Sequence, residues 1–82
     1  GSGYLPVREY CMLTADELGA AIRTARKAQG LRQDQLAGAA GVGVRFIVDL
    51  EAGKPTTHLG KALAVAAALG LRIIIEQPSV RR

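Results

Sequence analysis

The stretch from Gln33 to Gly53, QDQLAGAAGVGVRFIVDLEAG, constrains this chain more than any other. Gly41 lies inside it, between two short runs with helical apolar spacing. Without a Cβ, glycine enters the left-handed backbone region freely, so one helix can stop there and another can start at a steep angle a few residues later. Ala37 is small enough for the two helices to approach closely, and Ile47 and Leu50 are apolar anchors that point back toward the first of them. The spacing predicts two short helices joined by a tight turn, over 33–40 and 44–52.

Eighty-two residues hold one domain with one small core, a size that is marginal unless the fold is idealised, stapled or oligomeric. The lone Cys11 cannot close an internal disulfide, and with a single His58 it cannot assemble a structural zinc site. That usage suits a reducing cytoplasm. Hydrophobic residues make up 49% of the chain but aromatics only 4%, which implies an Ala/Leu/Val core and a mostly α fold. No apolar run approaches the ~18–20 residues of a membrane span, and no leader resembles a signal peptide, so a soluble cytoplasmic protein is expected. The net charge of +4 favours polyanionic partners, a pointer that gains force only if the cations sit on a reading element.

Taken in order, Gly1–Gly3 look like a cloning remnant, and residues 1–13 read as a flexible arm: Tyr4 to Cys11 contains Pro6 and no helical period. Thr14 is a suitable N-cap, and Asp16 and Glu17 complement the positive end of a helix over 15–29. Leu18, Ala21, Ile22 and Ala25 give that helix an inward stripe, and Gly30 stops it. Arg26 and Glu51 each lie at the edge of their helix's apolar stripe, four residues from Ile22 and Ile47, and should meet. Pro55 ends the helix begun at Val44. Thr56 or Thr57 then caps a helix over 58–69 with Leu59, Leu63 and Ala66 inward, closed by Gly70. Leu71 to Gln77 is rich in β-branched residues and reads as a strand over 71–77, with Leu71, Ile73 and Ile75 on one face. A single strand leaves its ladder groups unpaired, so a second copy is the simplest partner, with the Tyr4–Met12 arm as the alternative. The domain therefore spans 14–77, followed by a basic tail over 78–82.

With the GLRQDQLA lead-in and the DLEAGKP exit, these residues resemble the helix-turn-helix of the XRE family, the lambda-repressor/Cro-like DNA-binding domains, over roughly Leu18 to Leu69. The run LGLRIII narrows the resemblance to the HipB-like antitoxins. The resemblance implies a four- to five-helix lambda-repressor-like domain whose C-terminal β-strand pairs in a dimer through Leu71, Ile73, Ile74 and Ile75. It puts Gln33 where the family's glutamine binds a backbone phosphate or base edge; an amide beside a helix N-terminus adds a donor where the dipole already attracts anions. Val44, Arg45 and Asp49 correspond to residues that enter the major groove. Arg45 can make a bidentate bond to guanine O6 and N7, worth ~1–3 kcal/mol of discrimination, and Val44 can touch a thymine methyl. Asp49 either accepts from cytosine N4 or holds Arg45 across one helical turn. Lys54 and Thr56 resemble the loop that contacts the DNA backbone, whereas Arg23, Lys27 and Arg32 are either further basic surface or ordinary solvated side chains. The Arg26–Glu51 pair has a structural role in the family, tying the first helix to the third. Gly43 replaces the usual Ser/Thr cap of the recognition helix, and Phe46 and Val48 replace small polar residues, so hydroxyl contacts to phosphate are missing. Phe46 lies beside Leu50 and is expected to pack.

The function implied is a homodimeric, sequence-specific repressor on a near-palindromic double-stranded DNA operator, with a second role as antitoxin to a HipA-like kinase toxin and autorepressor of their operon. The alternatives are a protein-interaction module on the same scaffold and a stand-alone XRE-type regulator. No enzyme, cofactor, metal or membrane role is expected. His58 has no Cys or acidic partner at catalytic spacing, Asp16 and Glu17 fall on different helix faces, and no Gly-rich phosphate loop is present.

Overall fold

The computed structural model describes residues 14–56 and 58–74. They form α1 (Ala15–Ala28), α2 (Gln33–Ala40), α3 (Val44–Glu51) and α4 (Leu59–Ala68). The expected arm over 1–13, Thr57, Ile75 to Gln77 of the expected strand and the tail over 78–82 lie outside the described residues.

Each helix begins and ends where its sequence makes continuation costly. Thr14 and Glu17 form a capping box at the start of α1: Glu17 N–H donates to Thr14 Oγ1 at 3.1 Å, and Thr14 N–H donates to Glu17 Oε1 at 2.9 Å. The Gln35 side chain accepts from Arg32 N–H at 2.8 Å, satisfying one free donor at the start of α2. Gly41 closes α2 in the left-handed region at φ 73°, as the turn requires.

α3 packs on α1 and α2, and α4 packs on α2. Ile22, Leu36, Ile47 and Val65, one from each helix, are fully buried, joined by Ala37, Leu50, Ala62 and Leu69. Burying a side chain of that size contributes ~1.5–3 kcal/mol, so these four positions specify how the helices meet. Small Ala37 lies at the contact between α2 and its neighbours.

Three expectations are corrected. In α1 the inward line runs through Gly19, Ile22 and Arg26, while Ala21 is exposed. Ile22 is fully buried and Leu18 and Ala25 pack against the core, so of the expected stripe only Ala21 fails; a glycine registers weakly as part of such a stripe. In α4 the inward stripe is Ala62, Val65, Ala66 and Leu69, whereas Leu59 and Leu63 are 66% and 43% exposed. That helix is apolar nearly all round, so periodicity does not choose its face; the small Ala62 and Ala66 allow the closer approach to α2. His58, not Thr56, holds the N-cap position of α4, and its side chain makes no capping bond; Thr57 lies outside the described residues.

Four helices are seen among the described residues, within the four to five expected, but Leu71 to Ile74 form no strand there. Leu71 packs against the core, while Ile73 and Ile74 are 41% and 66% exposed. A ladder needs a partner strand, and the described residues offer none.

Candidate nucleic-acid interface

α3 has two unlike faces. Its inner face buries Ile47 and Leu50 and ends on Glu51; its outer face presents Val44 and Arg45. Gly43 starts the helix in an extended conformation, φ −75° and ψ 153°, and supplies no side-chain cap. A Cβ at Gly43 would meet nothing within 4 Å, so this end of α3 is open to an approaching surface.

On the outer face Arg45 Nε lies 3.5 Å from Asp49 Oδ1, across one helical turn. Lys54 Nζ, just past the helix, lies 3.5 Å from the same oxygen. The chain reaches Lys54 through Gly53 at φ 85°, where a Cβ would collide with Asp16 Oδ1 at the head of α1. Glycine there permits both the left-handed turn and the close approach, which together hold the lysine beside α3.

Phe46 turns toward α4. Its ring stands edge-on to His58 with centroids 6.5 Å apart at 70°, and Lys61 Nζ lies 5.8 Å from its centroid. Phe46, Asp49, Leu50, Lys54, Pro55, Thr56 and His58 line an open cleft of about 160 Å³. That is well below the roughly 300–1,000 Å³ typical of small-molecule sites. Thr56 Oγ1 accepts the His58 N–H at 2.9 Å, leaving its hydroxyl proton free to donate outward.

The structure brings Gln33, Arg26 and Glu51 together on the inner side. Arg26 Nε and Nη2 donate to Glu51 Oε2 and Oε1 at 2.6 and 3.0 Å, and Arg26 Nη1 donates to the Leu31 carbonyl at 2.8 Å. The two side chains are 11% and 2% exposed. Hydrogen bonding to Glu51 raises the Arg26 pKa above its ordinary value; burial opposes this and the Glu51 charge adds to it. Gln33 Nε2 also donates to Glu51 Oε1, at 3.2 Å, so one amide hydrogen is committed inward and the other remains for an outside acceptor. Arg32 and Asp34 pair at 3.0 Å on the exposed start of α2.

Gly19 is a residue that the sequence pattern missed: a Cβ there would strike the Leu50 carbonyl oxygen and lie 3.1 Å from that of Glu51. A glycine inside a helical pattern is itself the available signal for such a close approach. Gln29, whose Nε2 donates to the Leu69 carbonyl at 2.8 Å and ties α1 to α4, carries no such signal.

Among the described residues no helix is long and apolar enough to cross a membrane. Residues 22–74 match the Helix-turn-helix family. An uncharacterized HTH-type transcriptional regulator of Sinorhizobium fredii, y4mF, is 59% identical over 69 residues, covering 84% of this chain and 91% of that relative.

Proposed function

This chain belongs to the XRE family of helix-turn-helix proteins, and from that premise we propose that it is a sequence-specific DNA-binding transcriptional regulator that lays α3 into the major groove. The observation that carries the reading is the outer face of α3: Val44 and Arg45 are exposed, with Asp49 and Lys54 alongside, on a helix whose other face is fixed in the core. Arg45 is the base reader. Lys54 and Thr56 are the backbone contacts, and Gln33 offers its free amide hydrogen to a phosphate. Titration of duplex DNA across salt tests this, because affinity that rests on phosphates falls steeply as counterions compete. Arg45→Ala is expected to erase operator preference and keep weak general binding; an unchanged ratio of operator to random-DNA affinity overturns the assignment.

We extend the reading to a homodimer on a near-palindromic operator, joined through Leu71, Ile73, Ile74 and Ile75. The exposure of Ile73 and Ile74 supports it, as does a segment with no ladder partner among the described residues. Recognition helices one turn of DNA apart, roughly 34–36 Å, would then read two half-sites. Sedimentation as a monomer at micromolar concentration argues against this pairing. The finer role, antitoxin to a HipA-like kinase toxin with autorepression of their operon, is supported by the LGLRIII run. Its test is co-purification with the product of a neighbouring kinase gene; without such a partner the chain is a stand-alone regulator.

A further inference from the structure

Building on the placement of α3 in the groove, we propose that Asp49 is a positioning residue that aims Arg45, and that Lys54 competes with Arg45 for it. Operator discrimination then depends on a carboxylate that need not touch DNA.

The closest approach of Arg45 to Asp49 is made by Nε, at 3.5 Å. A carboxylate on Nε fixes the guanidinium plane and leaves the Nη1/Nη2 edge free for guanine O6 and N7. Asp49 suits that task because its side chain is only 35% exposed, against 78% for Arg45, so the anchored partner is the acid. It lines the cleft with Phe46 and Leu50, one side of which is the core.

Lys54 Nζ approaches the same Oδ1 at the same 3.5 Å. Both separations exceed the ~2.7–2.9 Å of a formed charge-assisted hydrogen bond, so neither cation holds the oxygen outright. A DNA phosphate draws Lys54 away, and Asp49 is left to Arg45 alone. Exclusion of water from the groove then strengthens the remaining pair. The phosphate contact and the base contact are thereby linked: docking of the lysine on the backbone frees the acid that aligns the reader.

The test starts from the duplex that the wild-type protein enriches from a randomised double-stranded library. Single base-pair changes are made in that duplex, and the pairs whose discrimination disappears in Arg45→Ala define the Arg45-dependent positions. Asp49→Asn is expected to cut discrimination at those positions by about 5- to 10-fold, part of the value of a bidentate contact, while other positions keep theirs. It is also expected to tighten binding to a scrambled duplex, since a negative charge near phosphate is gone and Lys54 is released. Loss on one duplex with gain on the other separates positioning from a merely structural defect, which lowers both. Asp49→Glu, which keeps the charge, should restore part of the discrimination, and Lys54→Ala should weaken both duplexes yet keep it. The proposal is overturned if Asp49→Asn retains Arg45-dependent discrimination, or if it weakens both duplexes alike. If the wild type enriches no duplex, or Arg45→Ala changes no position, it is the underlying DNA reading that fails.

Discussion

Two arginine–carboxylate pairs meet on α3, two residues apart in their acids, and they differ in nearly every physical respect. Arg26 and Glu51 are bidentate at 2.6 and 3.0 Å with side chains 11% and 2% exposed; Arg45 and Asp49 sit at 3.5 Å with side chains 78% and 35% exposed. Glu51 lies on the face that turns to α1, where one of its oxygens also receives Gln33, and both oxygens are engaged by protein donors. Asp49 lies toward the open face, partly exposed, where a second cation shares it. The same chemistry thus fixes the fold on one side of the helix and leaves a loose, solvent-facing pair on the other, because burial, not residue type, sets what a charge pair is worth.

The largest effect should come from removing Glu51. In Glu51→Ala the Arg26 guanidinium keeps only its bond to the Leu31 carbonyl, and Gln33 loses its inward acceptor. Breaking such a pair from one side costs about 3 kcal/mol, since a nearly buried charge is stranded. At ~4–8 °C per kcal/mol for a domain of this size, the melting temperature should fall by more than 10 °C. Asp49→Ala should stay within ~0.5 kcal/mol of wild type by the same measurement, as exposed i,i+4 pairs do. Equal shifts for the two variants would erase the distinction between the faces.

How much of this was legible in the residues follows the same division. The inner face was readable because Arg26 and Glu51 are charges placed beside apolar stripes, and because Ala37, Gly41, Ile47 and Leu50 keep the spacing of two helices and a turn. Helix limits came within a residue or so, for glycines and caps are local signals. The face of α4 was not legible, since alanines around the whole helix leave the choice to packing against α2. Nor was the sharing of one Asp49 oxygen by Arg45 and Lys54, which depends on how the turn at Gly53 folds back. The strand expected over 71–77 is a different case: Leu71 to Ile74 form none among the described residues, because a ladder needs a partner and one sequence states only the propensity.

Gly19 sharpens the comparison by testing what brings α1 to α3. Its missing side chain lets the Leu50 and Glu51 carbonyls approach the α1 backbone, directly beside the buried pair. Gly19→Ala gains up to ~1 kcal/mol of helix propensity, but overpacking against backbone costs about 1–3 kcal/mol. A net loss of about 1–2 kcal/mol is expected in chemical denaturation, smaller than for Glu51→Ala. Gly38→Ala in α2, where a Cβ would meet nothing within 4 Å, is the control and should gain by propensity alone. If both alanines stabilise the protein, the close approach of α1 to α3 does not matter to its stability.

The smallest effect is expected at a third pair, Arg32–Asp34, which separates geometry from burial. Its 3.0 Å contact is shorter than that of Arg45–Asp49, yet its side chains are 71% and 62% exposed. If distance decided what a pair contributes, Asp34→Asn should destabilise more than Asp49→Ala; if burial decides, it should do almost nothing. The Arg32 hydrogen bond holds the Asp34 carboxyl below its ordinary pKa, with the Arg32 charge and backbone donors assisting and desolvation opposing. A carboxyl lowered on folding contributes whatever it does at pH values above its unfolded pKa, about 3.9 for an ordinary aspartate, and loses it as pH falls through the folded value. The wild type and Asp34→Asn should therefore have indistinguishable melting temperatures at neutral pH, and any small wild-type advantage should vanish on acidification below that range. Salt should remove it as well, because water and counterions surround both partners. A clear loss at neutral pH that persists in high salt would show that a short exposed contact at the head of α2 contributes as a buried one does, and burial would no longer explain why Glu51 and Asp49 differ.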